Sequence, residues 1–457
     1  MPLPVHLDRR SPDPLPAQLA QQVRRLLARG SLRTGDRVPS TRALAVELGV
    51  SRAVTEQAYD QLVAEGWLEA RRGSGTFVAS HASHAPHARL AGSTAHPARR
   101  AMPSSPALVP LSTGEPWIDP RHAAAWRRAW REVSATTPPR GYGDAAGLGD
   151  LRAALAARLG ATRGLLVDAD VVLVTAGTTA ALREVLAVLP PGAVGIEDPG
   201  YRAAVAVARD AGRSVVDLPA ERRHHAADLA GLRAVYVTPA HQHPLGRVMP
   251  AADRLALLDA ARATDAVVVE DDYDSELRYD VAPVPALAAL DRDRVAYLGT
   301  AAKSAPPGLR VGWAVLPPGL HEAVLRRRAV QHADASWPSQ RAMLALLRDG
   351  WLDVTVRTAR GVYAERARQV ASRLAPYATP AATSAGMYST WLTSRAAAHR
   401  ARAAAADAGF ALTLLEDLCR SAALTGVVVG FGGVTDDELA RALDAVAAGL
   451  AGRSTGR

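Results

Sequence analysis

The sequence predicts an α/β protein in two unequal parts, a small helical module followed by a large domain built on a mainly parallel sheet. Three observations carry that expectation. Within the first 80 residues, two short helical segments meet at a glycine turn and a strand pair follows. From about residue 140, short β-branched runs alternate with helical stretches, as in crossover connections between parallel strands. Between the two, residues 81–110 mix Ala, Pro, Ser, Gly and His with no acidic residue and no apolar period, which reads as a flexible linker.

In the first module (residues 1–80), Pro16 leads into Leu19, Val23, Leu26 and Leu27 at helical spacing, closed by Gly30. A loop over 32–39 precedes a second helix over 40–48, with Leu44, Ala45 and Leu48 on one face. Gly49-Val50 makes a tight turn. Ser51 is a good N-cap for a third helix whose Val54, Ala58 and Leu62 form the inner stripe. That assignment leaves Ser51, Arg52 and Thr55 facing outward. Residues 68–70 and 76–78 read as strands around Arg71-Arg72-Gly73-Ser74-Gly75, a wing with a basic tip. Two helices about a glycine turn, the second showing polar residues at its start, form the helix-turn-helix layout. The charge agrees with a nucleic-acid partner at this end alone. Residues 1–110 hold 14 Arg against 8 Asp+Glu, whereas the remainder holds 40 basic against 37 acidic residues.

In the larger part, strands are expected at 171–175, 193–197, 214–218, 234–238, 266–270, 295–299 and 311–316, with helices such as 179–189 and 253–263 between them. Ligands of such sheets bind beyond the carboxyl ends of the strands. The polar residues lying there are Ala176-Gly177-Thr178-Thr179, Asp271-Asp272-Tyr273 and Thr300-Ala301-Ala302-Lys303-Ser304.

Lys303 is the one lysine among 54 basic residues, and a primary amine differs from guanidinium in being able to lose its proton. A phosphate loop needs glycine before the lysine, and Ala302 stands there. No G-x-G-x-x-G follows a strand and no H-E-x-x-H occurs. A Schiff-base lysine passes these tests. Pyridoxal phosphate also needs a carboxylate for its ring nitrogen, and amides with an arginine for its phosphate. Asp271, the Gly177 turn and Arg310 are of the right types at the right places. The residues alone equally allow a solvated lysine beside a charged surface turn.

Other classes are excluded more simply. Cys419 is the only cysteine, so neither an intrachain disulfide nor a thiolate zinc cage is available. His81, His84, His87 and His96 are irregularly spaced without acidic partners and read as solvated linker residues, so no metal is expected. No run approaches the roughly 18 apolar residues of a membrane helix, and the N-terminus does not read as a signal peptide. The expected location is cytoplasmic.

Two resemblances extend this reading. Pro39-Ser40-Thr41-Arg42-Ala43-Leu44, Leu48-Gly49-Val50-Ser51-Arg52, Ala58-Tyr59, Glu65-Gly66-Trp67 and Arg72-Gly73-Ser74-Gly75-Thr76-Phe77-Val78 resemble the winged helix of GntR-type repressors. The resemblance implies DNA contacts by Arg42, Arg52 and Arg72, and the expected operator-DNA interface also takes in Ser51, Thr55 and Gly75. Ala53 and Val54 depart from the polar residues usual there. Further on come Gly141-Tyr142-Gly143-Asp144, Glu197-Asp198-Pro199-Gly200-Tyr201, Val237-Thr238-Pro239-Ala240-His241-Gln242, Glu270-Asp271-Asp272-Tyr273-Asp274-Ser275-Glu276, and Gly299-Thr300 with Lys303-Ser304 and Pro307-Gly308-Leu309-Arg310. With these, residues 111–457 resemble a fold-type-I aminotransferase. The fusion resembles the MocR family of transcription regulators.

What the resemblance implies is specific. The fold would be a winged helix-turn-helix plus a pyridoxal-phosphate-dependent aminotransferase-like domain, with a large α/β/α part at about 140–320 and a smaller α+β part at about 330–457. Lys303 would bind the cofactor covalently, Asp271 its ring nitrogen and Tyr273 its phenolic oxygen, with Tyr201 stacked on the ring. Gly177, Thr178 and Arg310 would hold the phosphate, Gln242 and His243 would line the site, and Tyr142 would reach in from a second subunit. Head-to-tail homodimers would pack each winged helix on the partner's large domain.

One departure bears on activity. Where aminotransferases carry an arginine for the substrate carboxylate, this chain reads Thr425-Gly426-Val427-Val428-Val429. Arg202 is the candidate to take over, and reads equally as a surface charge. The expectation is a regulator without turnover that senses the cofactor, an amine or an amino acid. The alternative is an active aminotransferase with an accessory DNA-binding module.

Overall fold

The computed structural model describes residues 3–79 and 108–452, apart from 10, 12, 29, 30, 33, 34, 72–74, 120, 122, 280–284, 334 and 384. The expectations for Gly30, for Arg72 at the wing tip and for the linker up to residue 107 lie outside the described residues.

The N-terminal module holds helices α1 (Leu15–Ala28), α2 (Thr41–Leu48) and α3 (Arg52–Ala64). A three-stranded antiparallel sheet joins β1 (Arg37–Val38), β2 (Leu68–Arg71) and β3 (Gly75–Val78) in the order β1-β3-β2. β1 falls inside the span read as loop. Two residues carry no period of their own; Val38 is buried and pairs with Thr76 only once the wing exists. Ser40 caps α2 by accepting from the Ala43 amide, and Gly49 ends it in the left-handed region at φ 62°. Ser51 occupies the N-cap of α3 but its side chain caps nothing.

The inner face of α3 corrects the sequence reading. It is Thr55, Ala58, Tyr59 and Leu62, and Val54 is only half-buried. Thr55 is fully buried, its hydroxyl shared between the carbonyls of Thr41 and Arg52, each at 2.9 Å. The helix is turned because Tyr59 buries its ring while its hydroxyl donates to the Pro39 carbonyl at 2.9 Å. Thr55 therefore braces α3 against α2 and does not face outward.

The large domain is a seven-stranded sheet. Its strands are β4 (Val172–Thr175), β5 (Ala193–Asp198), β6 (Val215–Pro219), β7 (Leu232–Val237), β8 (Val267–Asp272), β9 (Val295–Thr300) and β10 (Gly312–Val315), in the order β4-β10-β9-β8-β7-β5-β6. Each matches a strand read from the sequence to within two residues. Five neighbours run parallel, and β10 is antiparallel to both β4 and β9. Helix α4 (Thr178–Val188), α5 (Arg202–Asp210) and α6 (Ala251–Thr264) belong to the crossovers. One apolar cluster fills each face of the sheet, giving three layers.

The smaller part contains the helix α7 (Trp351–Leu374), the central strands β11 (Tyr388–Leu392) and β12 (Gly426–Gly430) of a four-stranded sheet, and α8 (Asp436–Ala451). Its boundaries differ from those expected. The helix Trp337–Arg348 packs in the large core together with Trp351 and Leu352, and α7 enters the small core from Val356 on. The small part also takes in the segment before the large domain: Val109–Pro110 pairs with Phe410–Ala411, and Leu111 lies in the small core. Sequence order hides this because the two segments are 300 residues apart.

The winged helix packs on the large domain of its own chain. Leu3, Leu19, Leu27, Tyr59 and Trp67 share a cluster with Ala251 at the start of α6, flanked by Leu255 and Leu290. Beside it lies a buried, two-bonded ion pair of Arg24 with Glu65. Two substitutions on α3 separate fold from surface. Thr55→Val, which leaves the Thr41 carbonyl without its donor, should cost about 1 kcal/mol in urea denaturation. Arg52→Ala removes only an exposed i,i+4 pair with Glu56 and should change stability by no more than about 0.5 kcal/mol.

Candidate functional site

On the winged helix, Arg42 is exposed on the first turn of α2, and Ser51 and Arg52 are exposed where α3 begins. Gly75 opens β3 at φ 112°, a conformation that favours glycine, and a Cβ there would meet the Arg37 guanidinium at 3.1 Å. Arg37 thus sits beneath the wing, and Arg9 donates to the Gly49 carbonyl in the turn between α2 and α3. Sequence reading missed both arginines, because their place depends on strand register and on a chain segment folding back. The arrangement is a set of guanidinium groups around a helix N-terminus, suited to phosphate contacts.

The second site lies beyond the carboxyl ends of the parallel strands. The turn after β4 places Gly177 at φ 104° as the N-cap of α4, so the first amides of that helix open outward. The Arg310 guanidinium would lie 3.6 Å from a Cβ at Gly177, and Arg310 is itself held in the left-handed region at φ 53°. Gly312, where a Cβ would meet the Gly177 Cα at 2.7 Å, lets the two turns close on each other. Together they form an anion cradle.

At the end of β8 the strand alternation sends Asp271 to one face and Glu270 and Asp272 to the other. Asp271 Oδ2 accepts from the Tyr236 hydroxyl, whereas Oδ1 is buried without a hydrogen-bond partner. Burial lifts this carboxyl to about 7, against the pull of the Tyr236 and Thr178 hydroxyls. On the far face Glu270 accepts the amides of Leu287 and Ala288. Asp272 pairs with buried Arg163 and accepts from Tyr297 at 2.6 Å.

Lys303 follows β9, and its Nζ donates to the Gly114 carbonyl at 2.7 Å. Burial lowers its proton affinity, while Asp274, Asp271 and Glu115 oppose that change. Tyr273 donates to the His241 carbonyl at 2.9 Å and meets the Tyr388 hydroxyl at 2.8 Å. His243 Nε2 lies 3.2 Å from the Thr113 hydroxyl, and burial holds the imidazole neutral, with its pKa down at about 3. The Tyr201 ring stands edge-on to His243 at 5.8 Å.

The remaining expected residues sit differently. Gln242 turns its amide into protein, donating to the carbonyls of Pro199 and His243 and accepting from the Leu245 amide. It braces the loop and does not point a free donor into the site. Tyr142 is 80% exposed and stacks on His332 at 3.9 Å, apart from the other site residues within this chain. Arg202 is exposed at the first residue of α5. Val427, Val428 and Val429 are wholly buried in β12, and a Cβ at Gly426 would strike the Trp391 carbonyl at 2.2 Å. The strand has neither an arginine nor room for one at Gly426. Among the described residues no group of three His, Cys, Asp or Glu side chains is placed to hold a metal ion. The sequence pointed to neither Tyr236 nor Gly114, which come from a mid-strand position and from the segment ahead of the large domain.

Together these features define a class, a winged-helix regulator joined to an aminotransferase fold. The chain belongs to that class by family as well: residues 15–78 match the bacterial regulatory proteins of the gntR family, residues 106–449 match aminotransferase class I and II, and the combination is that of the MocR-type regulators. It is 35% identical to the HTH-type pyridoxine biosynthesis transcriptional regulator PdxR of Corynebacterium glutamicum, over 80% of each chain. It is 37% identical to the probable rhizopine catabolism regulatory protein MocR of Rhizobium meliloti, over 79% of this chain and 77% of that one. Among solved structures, an aspartate aminotransferase of Thermus thermophilus superposes with a TM-score of 0.65 at 25% identity, over 75% of this chain and 96% of that one. An archaeal alanine:glyoxylate aminotransferase shares the fold, with a TM-score of 0.68 at 24% identity over 74% and 90% of the two chains. The aminotransferase class I and II family depends on pyridoxal phosphate.

The raised carboxyl at Asp271 has a measurable consequence. Folded Asp271 keeps its proton from its ordinary 3.8 up to about 7, where the unfolded chain has lost it. Stability of the cofactor-free protein therefore falls across that window as pH rises. Asp271→Asn should match the parent near pH 4 and exceed it in melting temperature above pH 7. Parallel stability curves would remove burial as the cause.

Proposed function

We propose that this chain is a transcription regulator that binds operator DNA through its winged helix and carries pyridoxal phosphate on Lys303. The large domain senses the cofactor itself or an amine or amino acid. One observation carries the cofactor reading: a buried carboxylate oxygen of Asp271 without a partner, in the same site as the chain's only lysine. A buried unpaired oxygen is costly and calls for a ligand donor, which a protonated ring nitrogen supplies.

The other residues fit the same group. Arg310 and the amides at the start of α4 bind a phosphate, and Tyr201 and His243 bound a flat ring. When bound, pyridoxal phosphate supplies an aldehyde that reacts with primary amines. Burial of Lys303 favours the neutral, nucleophilic amine, and Gly114 orients its nitrogen. Tyr273, fixed by His241 and Tyr388, would turn its hydroxyl to the phenolic oxygen of the bound cofactor.

The valine strand supports sensing over turnover. An arginine fork that orients a substrate carboxylate is replaced by buried aliphatic side chains. An effector held in that pose would therefore be recognised by its amine. Winged-helix docking at α6 offers the route to DNA. Arg254 on α6 donates to the carbonyls of Met249, Pro285 and Pro239, the last opening the loop that carries His241 and His243. In a head-to-tail dimer the partner's winged helix would replace the chain's own on this α6 surface, with Tyr142 available to the partner's site.

Purified protein with pyridoxal phosphate should show a visible absorption band that Lys303→Ala abolishes. Arg42→Ala and Arg52→Ala should weaken operator binding about tenfold or more in gel-shift titrations and leave the band intact. Loss of the band in the arginine variants would refute the division of labour. Ala251→Arg places a charge in the docking surface, away from both sites. It should make operator affinity indifferent to cofactor, whereas retention of any cofactor response would exclude docking as the route.

A further inference from the structure

Beside the cofactor lysine lies a second buried acid that the reading above does not use. Asp274 follows the β8 carboxylates and lines the same cleft as Lys303, Tyr273, Thr300 and Ser304. Its side chain is 1% exposed. Oδ2 is held by His241 Nδ1 at 2.7 Å, and Oδ1 is buried with no hydrogen-bond partner. Carboxylates in such surroundings are normally bonded through both oxygens, so this one is exposed electrostatically to whatever charge shares its cavity.

The enclosure is built around the pair. Gly386 of the small part, at φ 65°, passes so close that a Cβ would meet Asp274 Oδ2 at 2.7 Å and His241 Cε1 at 2.9 Å. The Tyr388 ring lies 4.9 Å from the His241 ring. His241 is itself 2% exposed. The small part thus closes over the pair and keeps water from screening it.

We propose that His241 and Asp274 form a positioning pair that keeps a negative charge facing Lys303 and so sets the proton affinity of the chain's working amine. Asp271, bonded to Tyr236 on the opposite face of β8 from Asp272, has the ring nitrogen as its task in the function proposed above. Asp274 instead offsets part of the burial that drives the lysine toward neutrality. The groups facing Lys303 are Asp274, Asp271, Glu115 and neutral His243, and those facing Asp274 besides Lys303 are His241, Tyr273, Tyr388 and Tyr363.

The inference rests on Lys303 being the working amine, but its test needs no cofactor. Because the chain has one lysine, protein labelled with carbon-13 at lysine Cε gives a single lysine resonance whose pH titration reports Lys303 directly. Asp274→Asn should lower that midpoint by about one pH unit, a tenfold loss of proton affinity. His241→Asn, whose amide still donates to Asp274, should keep the midpoint of the parent. His241→Phe removes the one donor to a buried carboxylate, which then takes up a proton and loses its charge, so the midpoint should fall as in Asp274→Asn.

An unchanged midpoint in Asp274→Asn with native melting would overturn the proposal. A midpoint raised in His241→Asn would also overturn it, by showing that the pair faces Lys303 as a neutral unit. Should Asp274→Asn fail to fold, the two His241 variants decide between the same outcomes. Failure of cofactor binding with these titrations as expected would refute the function proposed above and leave the pair standing.

Discussion

Three consecutive carboxylates buried at the end of one strand are the constraint around which the large domain is arranged. Glu270, Asp271 and Asp272 are all less than 8% exposed. An isolated buried charge is far too costly to keep, so each must find compensation in a different direction. The helix Gly149–Arg163 supplies Arg163, β9 supplies Tyr297, and the turn at 287–288 supplies two amides for Glu270. On the other face β7 supplies Tyr236 for Asp271. These bonds tie the sheet to its surroundings, and they leave two oxygens open, Oδ1 of Asp271 on one face and Oδ1 of Asp272 on the other.

The same logic reaches the winged helix. Arg254 is wholly buried, bonded to three carbonyls and directly to no carboxylate among its described hydrogen bonds. Burial lowers its pKa to about 10, and the carboxylates that favour its charge are Glu270 of β8 and Glu65 of the winged helix. Arg254 therefore lies between β8 and the winged helix, where the nearby module groups are the paired Glu65 and Arg24, whose charges act on it in opposite directions. Through its bonds to the Pro239 and Pro285 carbonyls, Arg254 braces two loops from the helix on which the winged helix packs.

The fold was largely legible from the chain. Period-two and period-3.6 patterns identify elements whose apolar faces are long enough to repeat, and seven strands and the helices between them qualified. The failures share a cause. β1 spans two residues and exists only by pairing with the wing, and α3 turned about its axis because Tyr59 found a carbonyl in the preceding loop. The segment at 109–111 joined a core formed 300 residues later. None of these outcomes is encoded within a local window.

For the site, the sequence by itself determined the chemistry available. A single primary amine, a run of three acids, a glycine turn and an arginine stand after successive strands, and valines occupy the strand that would carry a carboxylate clamp. Covalent structure fixes those identities, and strand alternation fixes which acid faces the site. Only the tertiary structure decided which oxygens are satisfied and which are left open. It brought Gly114 to Lys303 and Tyr236 to Asp271, spent the amide of Gln242 on its own loop, and closed Gly386 over Asp274 and His241. The reason is that hydrogen-bond satisfaction depends on distances of a few tenths of an ångström between segments hundreds of residues apart, which packing sets and sequence spacing does not.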